Sequence, residues 1–297
     1  MSAYYIKLYL TSVQPTFSGV DVNYEDAKYV LMGVPFDSTS SYRPGSRFAP
    51  KTIREISIEM ESFDAELSLD FDHTPFHDAG DIKSISSPED LIKKVSMVVK
   101  DTIKDGKIPI IIGGEHTTTL GSVVGLKELS DFNLIFLDAH LDLRDEYPVG
   151  ARVTHATVLR RCAEKIGCDR IMVIGARAVS KEEVEYADRC KIKVFYYHEL
   201  IYNNLDKLID SIGGNAYISI DMDVLDPGLA PGVSNPEPPG ISFKELVDIL
   251  KTIMRNIKLV GMDVTEVNPL YDPSGVTSAY AAAIIKKIVL LNEAKQP

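Results

Sequence analysis

Cysteine is scarce and unpaired in pattern: Cys162, Cys168 and Cys190 are the only three in a chain of 297 residues. An odd count without the spacing of a zinc site excludes a disulfide framework and a thiolate-ligated metal. It points to a reduced, cytoplasmic setting in which the three thiols pack. No apolar stretch is long enough to cross a bilayer, and the start Met1-Ser2-Ala3-Tyr4-Tyr5-Ile6-Lys7 lacks the form of a secretory signal. Positive charge is also short, with 32 Lys and Arg against 43 Asp and Glu and a formal net charge of −11. Without a basic patch to neutralise phosphates, nucleic acid is excluded as a partner, while a small cation would be drawn in. Repeats, low-complexity tracts and linkers are missing too, so residues 1–297 are expected to form one domain.

What the chain has is a regular alternation of strand-like and helix-like segments. Tyr29–Gly33, Ile108–Ile112, Asn133–Leu137, Arg170–Gly175, Lys193–Tyr197, a run ending at Asp221, and Leu259–Val264 read as strands. Helices are expected over Pro50–Glu59, from Ser87-Pro88-Glu89-Asp90 to about Lys104, and over Leu120–Leu129, Ala156–Ile166 and Lys181–Cys190. Two more follow, Leu246–Arg255 behind the capping box Ser242-Phe243-Lys244-Glu245, and Ser278–Leu291. This spacing implies an α/β fold, a parallel sheet with helices on both faces, whose ligands bind outside the carboxyl ends of the strands.

Those ends carry the chemistry. Asn133–Leu137 runs into Asp138-Ala139-His140-Leu141-Asp142, and side chains two apart on extended backbone share a face, so Asp138, His140 and Asp142 can converge. The same reasoning pairs Asp221 with Asp223, and Ile108–Ile112 leads through Gly113-Gly114-Glu115 to His116. One acid behind a strand is ordinarily a cap. Three strand ends delivering two imidazoles and four carboxylates suit two divalent cations, and Mn²⁺ fits that mixture of ligands. His73, His77 and His198 belong to no such cluster and are read as structural.

Gly113-Gly114-Glu115-His116, Asp138-Ala139-His140-Leu141-Asp142 and Ser219-Ile220-Asp221-Met222-Asp223-Val224-Leu225-Asp226-Pro227 resemble stretches of the ureohydrolase family, which includes arginases and agmatinases. Val34-Pro35-Phe36-Asp37, Tyr42 to Pro50 and Asp78-Ala79-Gly80-Asp81 resemble its amino-terminal signatures, and the similarity extends from about Leu31 to Glu293. The resemblance implies a three-layer α/β/α domain around an eight-stranded parallel sheet, two manganese ions, and a homo-oligomer of three or six subunits. It assigns His116, Asp138, Asp142 and Asp221 to one ion and His140, Asp138, Asp221 and Asp223 to the other. It gives Asp142 a proton-accepting role, makes His155 the proton shuttle, and places Glu266 against a guanidinium group.

Substrate follows from what stands after the Asp-x-His-x-Asp motif. Arg144 occupies the place where arginases resemble one another in carrying an Asn, and Val153 to Arg161 is similar to the agmatinase version. The expected reaction is therefore hydrolysis of agmatine to putrescine and urea, a step of polyamine synthesis. Arginine and 4-guanidinobutyrate are the alternatives, the latter if Arg144 meets a carboxylate. The chain departs from the family at Glu115 (usually Asp), Ala156 (usually Gly), Val233-Ser234-Asn235 (usually Thr-Gly-Thr) and Pro239-Gly240 (usually Gly-Gly). Two other readings are an acyl-amide hydrolase of the same fold and a metal-binding protein without catalysis. The full ligand set argues against the first, and His155 with Glu266 against the second.

Overall fold

Alternate residues of each central strand enter different cores, which is what sets the layers. The computed structural model describes residues 3–20, 22–200 and 213–295, so the Met1-Ser2 start lies outside the described residues. The strands of the main sheet are β1 (Leu10–Thr11), β2 (Tyr29–Gly33), β3 (Phe76–Ile82), β4 (Ile108–Ile112), β5 (Asn133–Leu137), β6 (Ile171–Ile174), β7 (Lys193–Phe195), β8 (Gly214–Asp221) and β9 (Ile257–Thr265), and Phe63–Asp64 pairs with Leu69–Asp70 in a separate hairpin. Leu31, Ile110, Ile112, Ile135, Leu137, Ile218 and Ile220 pack with Ile53, Leu246, Ile249, Ile284 and Ile288 on one side. Met32, Ile111, Leu134, Phe136, Val173 and Tyr217 pack with Leu91, Val95, Val123 and Leu159 on the other. The first side is covered by helices Ala49–Ile58, Phe243–Asn256 and Val276–Glu293, the second by Tyr4–Tyr9, Pro88–Lys104, Thr118–Lys127, Val158–Ile166 and Lys181–Cys190. This is the expected three-layer arrangement.

The sheet order is β1-β3-β2-β4-β9-β8-β5-β6-β7. Eight strands are parallel as expected, and the two-residue β1 adds a ninth, antiparallel to β3. The chain lays down β4 and β5 first and later inserts β8 and β9 between them, so the carboxyl ends of β4, β9, β8 and β5 stand side by side. Such reversals open the crevice in which α/β proteins bind ligands. Among the described residues no helix is long and apolar enough to cross a membrane.

Several boundaries differ from the sequence reading. The Lys193–Tyr197 strand stops at Phe195, because the Tyr196 N–H turns to donate to Glu199 Oε2 at 2.9 Å and a short helix follows. The Ala156–Ile166 helix begins at Val158, behind a 3₁₀ turn over His155–Thr157. The Leu120–Leu129 helix instead spans Thr118–Lys127. Strand β3 was not foreseen, since Asp78, Gly80 and Asp81 are poor strand formers. Tertiary contacts override that weakness. Arg54, almost wholly buried, donates from Nε and Nη2 to Asp78 at 2.7 and 2.9 Å and from Nη1 to Asp81 at 2.6 Å. Gly80 adopts φ +89°, and a Cβ there would meet Thr11 O at 2.0 Å, so only glycine admits β1 alongside.

Replacing Arg54 by Met would leave the fully buried Asp78 carboxylate without its cation. A loss of about 3–5 kcal/mol is expected, read as a lowered urea midpoint. A loss below about 1 kcal/mol would show that the pair does not hold β3 in place.

Candidate metal centre

Five of the six expected ligand side chains sit just beyond a strand, and the sixth, Asp221, ends one. After β4 the backbone folds against Phe36: the Glu115 N–H donates to Phe36 O at 2.8 Å, and a Cβ on Gly114 would lie 1.9 Å from that oxygen. The turn carries His116 back over the strand ends, where its ring stacks on Phe136 at 4.3 Å. His116 Nε2 lies 2.9 Å from Ser219 Oγ, whose own hydrogen is given to Asp263 Oδ1 at 2.6 Å. Ser219 therefore accepts from Nε2–H, and His116 Nδ1 faces the site as the ligand atom. Tyr217 and Thr119 donate to Asp263 Oδ2 at 2.8 and 2.9 Å and fix that carboxylate in turn. None of Ser219, Asp263, Tyr217 or Thr119 was singled out from the sequence. The available signal was an acid within the apolar run of β9, in register with Ser219 of β8.

The six expected ligands come together. His116 Nδ1 lies 3.1 Å from Asp138 Oδ2, 3.5 Å from Asp142 Oδ2 and 3.2 Å from Asp221 Oδ2. His140 Nδ1 lies 3.4 Å from Asp138 Oδ1 and 2.9 Å from Asp223 Oδ2. Two groups with cation-ligand spacing result, His116–Asp138–Asp142 and Asp138–His140–Asp223. Asp138 belongs to both, one oxygen to each. Asp221 joins the first group through Oδ2, while its Oδ1 accepts the Asp223 N–H at 2.8 Å. Asp223 Oδ1 accepts the Ala139 N–H at 3.1 Å, leaving Oδ2 toward His140.

The reason for convergence is not the one expected. Neither cluster is extended: β5 ends at Leu137, Asp142 has φ +49°, and Asp223 lies in the 3₁₀ turn Met222–Val224 capped by Asp221. Tight turns, rather than period-two alternation, gather the carboxylates.

Two more expected residues face the same cavity, which measures about 350 Å³. Glu266, at φ +62°, accepts the His116 N–H through Oε1 at 2.8 Å, while its buried Oε2 has no partner. Left-handed backbone at Asp142 and Glu266 is the kind of local strain that surrounding structure sustains at functional sites. Burial pushes the Glu266 carboxyl up to about 7. His155 lines the cavity beside Thr39 and Ser41, and burial lowers its pKa to about 4. Burial also disfavours charge on His116 and His140, but the neighbouring aspartates outweigh it and hold both well above the ordinary histidine range.

At the mouth, Arg144 lies over the Tyr147 ring at 5.1 Å with Nε 3.9 Å from Glu183 Oε2. Asn235, Ala156 and Glu237 line the same cavity. The other histidines stand elsewhere: His77 Nδ1 is 2.7 Å from Val22 O, His198 stacks on Tyr196, and His73 is exposed. Cys162 is buried, and Cys168 and Cys190 are half-buried with free thiols.

Do these residues fit cations? His116 Nδ1 and Asp138 Oδ2 are buried without a hydrogen-bond partner, and both point into the first group. Buried polar atoms are rarely left so unless something else binds them. Nitrogen and carboxylate donors around a shared carboxylate suit divalent metals of intermediate hardness.

The parallel sheet carries a candidate metal centre at its carboxyl edge, and comparison with known proteins gives the family. The Arginase family model matches residues 27–291, and the chain belongs to that family. It is 36% identical to agmatinase of Bacillus subtilis over 271 residues, covering 90% of this chain and 92% of that one. It is 35% identical to N(1)-aminopropylagmatine ureohydrolase of Thermococcus kodakarensis, covering 86% and 88%. The crystal structure of agmatine ureohydrolase of Thermoplasma volcanium superposes with a TM-score of 0.88 at 38% identity, covering 96% of each chain. Within its family the chain is an agmatinase-like ureohydrolase, an enzyme hydrolysing linear amidines.

Stripping divalent metal with a chelator would leave four carboxylates crowded in a buried pocket. The melting temperature is expected to fall by several degrees and to recover on adding Mn²⁺. An unchanged melting temperature would contradict a cation-holding cluster.

Proposed function

We propose that this protein hydrolyses the guanidino group of agmatine, giving putrescine and urea, with two Mn²⁺ ions held by His116, Asp138, His140, Asp142, Asp221 and Asp223. The observation that carries the reading is the pair of ligand groups sharing Asp138, with Glu266 Oε2 and His155 facing the same cavity. The guanidinium carbon is a weak electrophile because its charge is spread over three nitrogens. When bound, the cations supply Lewis acidity and make a hydroxide nucleophile available at neutral pH.

The remaining chemistry belongs to the chain. Glu266 Oε2 accepts an N–H of the guanidinium and orients its carbon. Asp142 accepts the proton of the attacking water. An amine departs only when protonated, and His155 carries that proton. With its pKa near 4 the imidazole rests neutral, so it must gain a proton during the cycle before it can give one. The water oxygen ends in urea and, in net terms, both its hydrogens end on the departing nitrogen, which leaves as an ammonium. Asp142 passes on the proton it took from water, and His155 delivers a proton taken up from solvent in exchange for the one the C–OH group loses.

Charge at the mouth favours a cationic tail. Glu237 and Glu183 stand there beside Arg144, whose Nε is 3.9 Å from a Glu183 carboxylate already held by Leu143 and Ser180; preference for agmatine over 4-guanidinobutyrate rests on the two acids outweighing the one guanidinium. A longer substrate such as N(1)-aminopropylagmatine is a second reading, favoured by the Thermococcus relative. The same reading takes residues 1–297 as one ureohydrolase domain in polyamine synthesis, cytoplasmic and homo-oligomeric as a trimer or hexamer, on the strength of the family likeness.

Urea release from Mn²⁺-loaded protein, with the four compounds at equal concentration, tests the reading. Agmatine or its aminopropyl derivative should lead, and His155→Asn should lower kcat about 10²–10⁴-fold without loss of metal. Preference for 4-guanidinobutyrate would overturn the substrate, and urea from none would overturn the activity.

A further inference from the structure

The segment Thr39–Ser41 belongs to none of the ligand clusters, yet it touches both ring nitrogens of His155. Thr39 Oγ1 lies 3.3 Å from Nδ1, and Ser41 Oγ lies 3.3 Å from Nε2. Behind Thr39 is Glu115, wholly buried. Its Oε1 accepts from Thr39 Oγ1 at 2.6 Å and from Thr117 Oγ1 at 2.6 Å, while Oε2 accepts from the Thr39 N–H at 2.7 Å.

A threonine hydroxyl has one hydrogen to give. The short contact to a carboxylate is where it lies, since charge-assisted O–H···O bonds are shorter and stronger than a 3.3 Å contact to a neutral ring. Thr39 Oγ1 is then only an acceptor toward His155. It already accepts the His155 main-chain N–H at 3.1 Å, and one lone pair remains for the ring. That lone pair can be satisfied only if Nδ1 bears hydrogen.

We propose that Glu115, acting through Thr39, fixes neutral His155 as the Nδ1–H tautomer and so presents an Nε2 lone pair to the cavity. Ser41, exposed at the mouth, meets that lone pair as a donor. Nε2 takes up a proton from solvent at the mouth as the exposed Ser41 hydroxyl turns aside, and the imidazolium releases it from the same atom to the departing amine, with Nδ1–H staying on Thr39 throughout. Thr39 and Glu115 are positioning residues, since neither touches substrate. This deepens the proposed function and rests on His155 as the proton carrier.

The discriminating experiment joins ring nitrogen-15 NMR of His155 with kinetics on Mn²⁺-loaded enzyme. Wild type should show Nδ1 protonated at neutral pH. Thr39→Val removes the acceptor at nearly constant shape, and should mix the tautomers and lower kcat about 10- to 100-fold with KM and metal content held. Thr39→Ser restores the hydroxyl and should recover both signals. Glu115→Gln supplies an amide donor to Thr39, which frees the hydroxyl to turn toward Nδ1 and should shift His155 to the Nε2–H tautomer. An Nε2–H tautomer in wild type, or unchanged tautomer and kcat in Thr39→Val, would overturn the proposal. If instead the tautomer responds as stated while His155→Asn retains full kcat, the positioning stands and the catalytic role of His155 fails.

Discussion

Concentrated negative charge at the carboxyl edge of the sheet is the constraint on which the rest depends. Asp138, Asp142, Asp221 and Asp223 are all buried within reach of two imidazoles, and Glu266 stands close by. Water cannot screen such a group, and repulsion between carboxylates in a low dielectric is severe. The protein resolves this by giving one oxygen of Asp221 and of Asp223 to a backbone N–H and aiming the other at a ligand group, while Asp138 Oδ1 both accepts the His140 N–H and faces the second group. The oxygens left over, together with His116 Nδ1, form a receptacle for cations. Any account of the fold has to explain how so costly an arrangement is held.

The sheet order supplies part of the answer, because β4, β9, β8 and β5 are adjacent and each ends at the same edge. A second shell of hydrogen bonds supplies the rest. Asp263 sets Ser219, and Ser219 sets the His116 ring. In the same turn as His116, Glu115 sets Thr39, and Thr39 meets His155. In both cases a buried carboxylate takes a hydroxyl hydrogen, so that the hydroxyl can only accept from an imidazole. The two histidines are thereby turned in different ways, one offering Nδ1 to metal and the other Nε2 to the cavity.

Much of the site was legible because its residues are chemically conspicuous and sit directly behind apolar strands. Asp138, His140, Asp142, Asp221 and Asp223 were found by assuming extended backbone, and they do converge. The turns at Asp142 and Met222–Val224 do the gathering, however, and turn geometry cannot be read from residue period. The alternation of strands and helices gave the layers, whereas β3 was illegible because its stability lies with Arg54, more than twenty residues earlier. Thr39, Ser41, Ser219 and Asp263 escaped notice for a similar reason. Hydroxyls are common, and only the fold brings Thr39 to His155 across a separation of 116 residues.

Asp138 divides its two oxygens between the two ligand groups. Anomalous diffraction at the manganese edge on crystals soaked in Mn²⁺ tests it most directly. Two peaks about 3.5–4 Å apart on either side of the Asp138 carboxylate are expected. A single peak, or peaks that avoid Asp138, would show that this carboxylate does not join two cations.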